Sequence, residues 1–415
     1  MALACLSFAA CATPGGGGNG GSTGTGGATS TGGSTGTGGA TSTGGTTGTG
    51  GATGTGGAGA GLGTGVGHAF PQSMKTGMCM LTTVSGAATQ TMSAYNSWKS
   101  SFLVSGNPGL RVQRPENGND TVSEGIGYGM LAAVYMNDQS TFDQLLAYQQ
   151  AHLDSKGLMN WHITSGGANA SDGAFSASDG DEDIAFAMLM ASDQWSGTDY
   201  LTPARAMIES IRMYSLFSNG VLQNGDNFNT ADELNVDYFS PAYYKVFAKA
   251  IPDGGIFSFS VSQGYLHLLA QMGTDGLVPD SSNLQDSTTC TTCKATYGYD
   301  ACRTPWRIAM DYCWNNDPSA AMYLAKVGAF FNGVGAANIC DSYNANGTQG
   351  STCNHNLAFS GPAGVGAMAG FQTLVDGSFN LMVTPPSGNT AYFPQSLRVL
   401  SMLMMSGNML DYSQM

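Results

Sequence analysis

The sequence predicts an all-α fold, an α/α toroid built from helix hairpins. After residue 86, apolar residues recur at helical spacing in one segment after another, and strand-like alternation is rare. The segments come in pairs with long polar loops between the pairs, as in helix hairpins that pack around a common axis. Periodicity alone leaves an irregular all-α fold open. In a toroid the loops at one end converge on a cleft, where functional residues are expected.

About twelve helices are predicted, and most of them have clear bounds. The first places Tyr95, Trp98 and Phe102 on one face, and residues 137–139 join the second helix to the third. Trp98 and the tryptophans at 195 and 314 are expected in the core. The predicted helices are Ala87–Leu103, Gly125–Met136, Thr141–Leu153, Asp183–Trp195, Pro203–Tyr214, Pro241–Ala250, Ser258–Met272, Arg303–Trp314, Pro318–Phe331, Gly364–Val375 and Gln395–Ser406.

Three regions are expected along the chain. Residues 1–13 are typical of an export signal; residues 10–12 fit ordinary cleavage, and residues 8–11 resemble a lipoprotein box with a lipid anchor at Cys11. A short disordered N-terminus is the plainer alternative. Residues 14–67 are almost only Gly, Thr, Ser and Ala, so we interpret them as a flexible linker that cannot bury enough apolar surface to fold. Residues 68–415 are expected to form the catalytic domain.

The charge of the chain excludes one class of partner. The net charge is −14, and all of it lies after residue 67, which argues against nucleic-acid binding. No apolar run reaches the length of a transmembrane helix. The five histidines are scattered without metal-ligand spacing, so we expect neither a metal nor a cofactor. A monomer is the default expectation.

The cysteines favour an oxidising compartment. Cys340 and Cys353 bracket a polar loop, and a disulfide is expected there. Cys302 and Cys313 are expected to be buried free thiols. Residues 290–293 form a Cys-Thr-Thr-Cys run that suggests zinc or redox chemistry, but no second pair follows at finger spacing.

One carboxylate, Glu124, lies between an Asn-rich loop and a glycine-spaced apolar run at 125–130. The chain has only five glutamates, and Glu124 has the most apolar C-terminal flank. A carboxyl group in apolar surroundings has a raised pKa and can donate a proton near neutral pH. Glu124 is therefore a candidate acid, although a helix N-terminus at Ser123 would oppose the rise in its pKa.

A second acidic motif places four carboxylates within residues 179–183. It copies the start of a calcium-binding EF-hand loop, but Ile184 and Met190 stand where that loop needs Gly and Glu. Acidic residues in the first turn of a helix are favoured by the dipole, which would explain Glu182 and at least one Asp. Because a structural cap does not require repulsion among four carboxylates, we interpret one Asp as catalytic.

A third acidic residue, Asp300, precedes a predicted helix and lies three residues ahead of Arg303. Asp is a common N-cap residue, worth about 1 kcal/mol. The alternative is a general base that a nearby guanidinium keeps ionised. Composition alone does not decide between them.

Four blocks of the chain resemble glycoside hydrolase family 8, the bacterial endoglucanase family with an (α/α)6 barrel. They are the runs at 123–130, 157–163, 177–195 and 299–303, in the order of the family. The resemblance implies inversion at the anomeric carbon. It implies that Glu124 is the general acid, that Asp300 is the general base, and that Asp179 grips the distorted sugar at the subsite preceding the cut.

The resemblance also implies substrate-binding residues. The matching positions are Trp161, Tyr299, Arg303 and Tyr392. Sugar rings stack their apolar faces on aromatics, and Trp161 lies in a polar loop where a core Trp is less expected. Tyr238 and Tyr243 are weaker candidates, one of which is expected in the core.

The leading expectation is an exported endo-β-1,4-glucanase, a cellulase either secreted or tethered to the cell surface, with a polysaccharide substrate. Xylan, mixed-linkage β-glucan and chitosan remain open, although Asp300 argues mildly against chitosan. A non-catalytic glycan-binding scaffold on the same toroid would have lost a catalytic carboxylate. A toroid epimerase or lyase would need a His or Tyr base, and only His162 lies near a motif.

Overall fold

The computed structural model describes residues 61–227, 234–283 and 293–415. Twelve helices dominate this part of the chain, with two short antiparallel pairings, β1 (Leu103–Ser105) with β2 (Leu110–Val112) and β3 (Thr121–Val122) with β4 (His162–Ile163). The helices are α1 Ala87–Phe102, α2 Ser123–Tyr135, α3 Gln139–Ala151, α4 Ser178–Gln194, α5 Leu201–Tyr214, α6 Pro241–Ala250, α7 Ile256–Gln271, α8 Thr304–Asn315, α9 Pro318–Val334, α10 Leu357–Gly366, α11 Gln372–Val383 and α12 Tyr392–Met405.

Every second helix belongs to a closed inner ring. In turn, α2 packs against α4, α4 against α6, α6 against α8, α8 against α10 and α10 against α12, which returns to α2. Each inner helix also packs against an outer one, pairing α2 with α3, α4 with α5, α6 with α7, α8 with α9, α10 with α11, and α12 with α1. This arrangement is an (α/α)6 toroid and confirms the predicted fold.

The inner and outer helices differ in how much of their surface is apolar. Every residue of α4 and of α10 is buried, since each is covered by ring neighbours and by its outer partner. The outer helix α5 buries one stripe, which contains Ala204, Met207, Ile208 and Ile211. A helix that is buried all round needs no polar face, whereas an outer helix needs a single apolar stripe.

Two predicted helices differ from the structure in an informative way. Helix α4 begins at Ser178, five residues before the predicted start, so the acidic motif lies inside the helix. The predicted helix Gly364–Val375 is wrong, because these residues span the end of α10, a turn and the start of α11. Pro362 lies inside α10 directly after Gly361, and Gly364 and Gly366 follow, a composition that normally ends helices.

Two disulfides between described cysteines fasten the toroid. The predicted Cys340–Cys353 bond is confirmed. The expectation of a free thiol at Cys313 is wrong, because this residue of α8 is bonded to Cys79, which precedes α1 by a few residues. The separation of 234 residues left no local signal for this pair. Cys302 is buried and free as predicted, and Cys293 is also disulfide-bonded.

Replacing both Cys79 and Cys313 with Ala should lower the free energy of unfolding by about 2–5 kcal/mol, because the bond restrains a very long loop in the unfolded chain. Urea unfolding without reductant measures the change. The matched control replaces Cys340 and Cys353, whose loop of 13 residues predicts a smaller loss. An equal or larger loss in the control would contradict the loop-length argument.

The last residues of the predicted linker lie against the helical body. The backbone N–H groups of Gly63 and Thr64 donate to Asp193 Oδ1 at 2.7 and 3.0 Å, near the end of α4. The predicted export segment and Cys11 lie outside the described residues. Among the residues that the structure describes, no helix combines the length and the apolar character needed to cross a membrane.

Candidate active site

Two helix N-termini of the inner ring bring the first pair of carboxylates together. Glu124 is the second residue of α2, and Asp179 is the second residue of α4. The helices can approach because glycines face the contact: a Cβ on Gly180 would lie 2.5 Å from Ser123 Oγ, and a Cβ on Gly127 would lie 2.7 Å from Asp183 Cβ. Within the glycine-spaced run that marked Glu124 in the sequence, Gly127 therefore allows close packing of α2 against α4.

A single buried guanidinium joins the predicted site residues. Arg303 is 1% exposed, and its Nη1 donates to Glu124 Oε2 at 2.5 Å and to Asp179 Oδ2 at 2.8 Å. Its Nε lies 2.6 Å from Asp237 Oδ2, and its Nη2 lies 3.5 Å from Asp300 Oδ1. The structure therefore places the three predicted catalytic carboxylates around one cation.

Glu124 has the raised pKa that its sequence context predicts. Burial is the main cause, and the charge of Asp179 adds to it. The charge of Arg303 and the Tyr392 hydroxyl, which donates to Glu124 Oε1 at 2.8 Å, oppose the rise. The resulting pKa is about 7, so burial and the charge of Asp179 outweigh the opposing effects of Arg303 and Tyr392.

Asp300 does not act as a helix cap. It precedes a short 3-10 turn at Ala301–Arg303, and its side chain makes no capping hydrogen bond. Instead the carboxylate lies near two cations, Arg303 and Lys294, whose Nζ is 3.9 Å away. Burial raises the pKa of Asp300, and these two charges oppose the rise. Its side chain keeps 13% exposure, so solvent reaches it.

The remaining acidic residues of the second motif have separate buried partners. Their carboxyl oxygens therefore do not converge on a common point, as the oxygens of a calcium-binding loop do. Assigning Glu182 to helix capping is wrong, because it is fully buried and bonded to α6. The pairs are Asp181 Oδ1 with the backbone N–H of Met159, Glu182 Oε1 with the Tyr244 hydroxyl, and Asp183 with the Arg307 guanidinium.

Trp161 lies beside the N-terminus of α2. The backbone N–H of Ser123 donates to the Trp161 carbonyl at 2.9 Å, and the indole N–H donates to the carbonyl of Asp172 at 2.6 Å. The ring is partly exposed and packs against His162, with ring centroids 4.9 Å apart. The backbone of Trp161 is thus hydrogen-bonded to Ser123, the residue that directly precedes Glu124.

The other predicted aromatics lie at the site with different degrees of exposure. Tyr299 is half-buried, and its hydroxyl donates to Asp341 Oδ2 at 3.2 Å. Tyr392 is 2% exposed and, like Arg303, makes its contacts with carboxyl groups. Tyr238 lies under the Arg303 guanidinium, 5.3 Å from ring centroid to Cζ. Tyr243 is fully buried, and Tyr238 is buried as well at 6% exposure.

Sequence reasoning missed three acidic residues of the site. Asp237 contacts Arg303, Asp341 accepts from Tyr299, and Asp280 accepts backbone N–H groups of the segment that carries Asp300. Asp237 lies in a single 3-10 turn and the other two lie in irregular segments, with no periodicity or repeated motif around any of them. The only available signal was an isolated Asp in an apolar flank, as in the Leu-Val-Pro-Asp run that ends at 280.

One compact group of possible metal ligands occurs among the described residues, formed by Cys340, Cys353 and His355. Because the two cysteines form a disulfide, their sulfurs are not available as thiolate ligands. Four carboxyl groups, those of Glu124, Asp179, Asp237 and Asp300, share the single positive charge of Arg303.

Comparison with known proteins gives consistent matches over most of the chain. The model of the glycosyl hydrolases family 8 matches residues 68–407. Endoglucanase 2 of Ruminiclostridium josui is 35% identical over 341 residues, which cover 80% of this chain and 74% of that protein. Endoglucanase C of Ruminiclostridium cellulolyticum is 36% identical over 327 residues, covering 76% and 70%. The solved structure of a beta-1,3-1,4-glucanase from Paenibacillus sp. X4 has a TM-score of 0.75 and 30% identity, covering 82% of this chain and 98% of that one.

Proposed function

The chain belongs to glycosyl hydrolase family 8, and we propose that it is an inverting endo-β-1,4-glucanase with Glu124 as general acid and Asp300 as general base. One observation carries this proposal. Two carboxyl groups of similar small exposure, Glu124 at 16% and Asp300 at 13%, share the Arg303 guanidinium, and burial raises the pKa of Glu124 to about 7. Inverting glycosidases need two such groups on opposite sides of the sugar.

The chemistry assigns one proton transfer to each carboxyl group. Protonated Glu124 gives its proton to the glycosidic oxygen as the bond between that oxygen and the anomeric carbon breaks. A water molecule attacks the anomeric carbon from the opposite face and gives its proton to the Asp300 carboxylate. The new bond forms opposite the old one, so the configuration inverts. Asp179 is assigned to the sugar preceding the cut, where its charge also keeps the pKa of Glu124 high.

The half-exposed aromatics are assigned to substrate binding. Trp161 and Tyr299 offer ring faces for stacking on sugar rings, and both are anchored by hydrogen bonds through their polar atoms. Arg303 and Tyr392 are nearly covered, so we assign them to holding Glu124, Asp179 and Asp300 in position.

Mixed-linkage β-glucan is the second candidate substrate, because the glucanase from Paenibacillus sp. X4 covers the same domain at 30% identity. We expect reducing-sugar release from carboxymethylcellulose and barley β-glucan, and little from xylan or chitosan. Proton NMR of the first products should show the α-anomer. Preferential release from xylan or chitosan would overturn the glucanase assignment, and a β-anomer would overturn inversion. A folded protein inactive on all four polymers would favour the binding scaffold.

Replacing Asp179 with Asn should move the alkaline limb of the kcat/KM profile to lower pH. The carboxylate raises the pKa of Glu124, so its removal lowers that pKa, and the general acid is lost at lower pH. Activity between pH 4 and 9 on a soluble β-glucan measures the shift. If the alkaline limb of the kcat/KM profile stayed at the same pH, the Asp179 charge would not be a cause of the raised Glu124 pKa.

Replacing Tyr392 with Phe should move the same limb in the opposite direction. The hydroxyl stabilises ionised Glu124 by donating to Oε1, so its loss raises the pKa of Glu124. The two variants control for each other, since general damage to the site would not shift the limb in opposite senses. A shift of both variants to lower pH would contradict the assignment of Tyr392.

Export is a separate proposal. The Cys79–Cys313 and Cys340–Cys353 disulfides are typical of proteins outside the reducing cytosol, and the first residues resemble an export signal. We propose a secreted or surface-tethered enzyme, with Cys11 as the lipid attachment site in the tethered form. Fractionation of cells that express the chain or its Cys11→Ser variant separates the two. Cytosolic retention of both would reject export.

A further inference from the structure

We propose that Asp280 positions the general base: its buried carboxyl group gathers the backbone of the segment that carries Asp300 and fixes where the Asp300 carboxylate lies. This inference rests on the proposed role of Asp300. Asp280 lies between α7 and the 3-10 turn at Ala301–Arg303, and only 6% of it is exposed. It is therefore a positioning residue rather than one that meets the substrate.

Three backbone N–H groups converge on one oxygen of this carboxyl group. Gly298, Asp300 and Ala301 donate to Asp280 Oδ1 at 2.8, 3.1 and 2.8 Å. The Asp300 side chain makes no capping bond of its own, and its nearest cations are 3.5 and 3.9 Å away. The main chain at Asp300 is thus fixed by shorter contacts than its carboxylate is. Asp280 accepts the hydrogen bonds that fix this main chain.

Gly298 shows how closely the two segments approach. A Cβ at this position would lie 2.3 Å from Asp280 Oδ2 and 3.1 Å from both Oδ1 and Cγ. No positive φ requires a glycine here, so the reason for its small size is contact with the carboxyl group. The glycine in the sequence Tyr-Gly-Tyr-Asp at 297–300 therefore leaves space for the Asp280 carboxyl group.

Asp280 is itself fixed by main-chain hydrogen bonds. Its N–H donates to the carbonyl of Thr296 at 2.8 Å, and the next residue, Ser281, bonds to Lys294 at 3.3 Å. The following residue, Ser282, exchanges hydrogen bonds with Leu234. The carboxyl group is thus attached to a backbone paired on both sides, so it can serve as a fixed reference point for the segment that carries Asp300.

The carboxyl group can do this work without a charge. Burial and the charge of Asp300 raise the pKa of Asp280 to about 7, so below that pH the Asp280 carboxyl group is mostly neutral. A neutral carboxyl group still accepts hydrogen bonds at its carbonyl oxygen. An Asn amide offers the same oxygen, and Ala offers none. The two substitutions therefore separate the acceptor from the rest of the side chain.

The test compares Asp280→Asn, Asp280→Ala and Gly298→Ala on a soluble β-glucan at about pH 5.5, below each variant's melting temperature. We expect Asp280→Asn to keep most of kcat. Asp280→Ala and Gly298→Ala should lose about 10- to 100-fold in kcat with little change in KM, because a displaced base slows the chemical step. Asp253→Ala is the matched control, since Asp253 also accepts two backbone N–H groups, at Gly255 and Phe257, and should leave kcat unchanged.

A second readout identifies which side of the reaction is affected. With an aryl cello-oligosaccharide that carries a dinitrophenyl leaving group, a general-acid defect largely disappears, whereas a defect in water activation persists. We expect the deficits of Asp280→Ala and Asp300→Asn to persist. Wild-type kcat in folded Asp280→Ala, an equal loss in Asp280→Asn, or a deficit cured by the good leaving group would overturn the inference. Wild-type activity in Asp300→Asn would instead overturn the proposed base.

Discussion

Replacing Glu124 with Gln should lower kcat on polymeric β-glucan by about 10²- to 10⁴-fold, the range that general acid catalysis supplies. The amide matches the carboxyl group in shape, and its oxygen still accepts from Arg303 while its NH2 group faces the Tyr392 oxygen, but it has no acidic proton for the glycosidic oxygen. Initial rates of reducing-sugar release measure the loss. A dinitrophenyl leaving group, which needs no protonation, should restore most of the rate.

Glu209→Gln is the matched control for this substitution. Glu209 is exposed on α5 and paired with Arg212 three residues on, so its loss should not change kcat. Comparable activity of Glu124→Gln and wild type on the polymer would reject Glu124 as the acid. A rate that the good leaving group fails to restore would show that the variant damages more than proton donation.

The Glu124→Gln substitution should also change how the stability of the protein depends on pH. Folding raises the pKa of Glu124 from 4.5 to about 7, so the stability that this carboxyl group contributes is present at low pH and lost as pH rises through about 7. The Gln side chain does not titrate. The melting temperature of Glu124→Gln relative to wild type should therefore increase between pH 5 and pH 8.

Replacing Arg303 with Met should destabilise the protein by about 3–5 kcal/mol, because it leaves buried carboxylates without their counter-charge. Glu124, Asp179, Asp237 and Asp300 all lie within 3.5 Å of this guanidinium. Urea unfolding measures the loss. Without the cation the pKa values of these carboxyl groups rise, so the loss should be larger at pH 8 than at pH 5.

Arg212→Met provides the comparison for the Arg303 substitution. Arg212 and its partner Glu209 are both about a third exposed or more, and such surface pairs contribute about 0–1 kcal/mol. If Arg303→Met were no more destabilising than Arg212→Met, the carboxylates around Arg303 would have to be neutral in the folded protein. A loss independent of pH would lead to the same conclusion.

The sequence predicted those parts of the molecule that leave a local pattern. Periodicity predicted a chain of helix hairpins, for which a toroid was the leading arrangement, and Glu124 was marked by a carboxylate beside a glycine-spaced apolar run. Asp237 and Asp280 left no pattern, because their partners lie more than 15 residues away in irregular segments. The Cys79–Cys313 bond was missed for the same reason.

Helix boundaries failed where composition and packing disagree. Gly and Pro weaken helices in isolation, yet α10 contains Pro362 and is buried along its whole length by its ring neighbours. A Cβ on Gly364 would lie 2.4 Å from Ser378 Cβ in α11, so close packing requires a small residue here. The same small residues make the helix hard to recognise in the sequence. Tertiary contacts, rather than intrinsic propensity, stabilise the helix.

We expect catalytic activity to depend on closure of the helix ring. The last helix, α12, packs against both α1 and α2 and places the Tyr392 hydroxyl on Glu124. These contacts join residues some 270 positions apart, so their formation carries a large loop-closure cost and comes late in a folding reaction that depends on distant contacts. In a partly assembled toroid, Glu124 would therefore lack one of the contacts that determine its pKa. We therefore expect glycan hydrolysis to begin only after α12 has closed the ring.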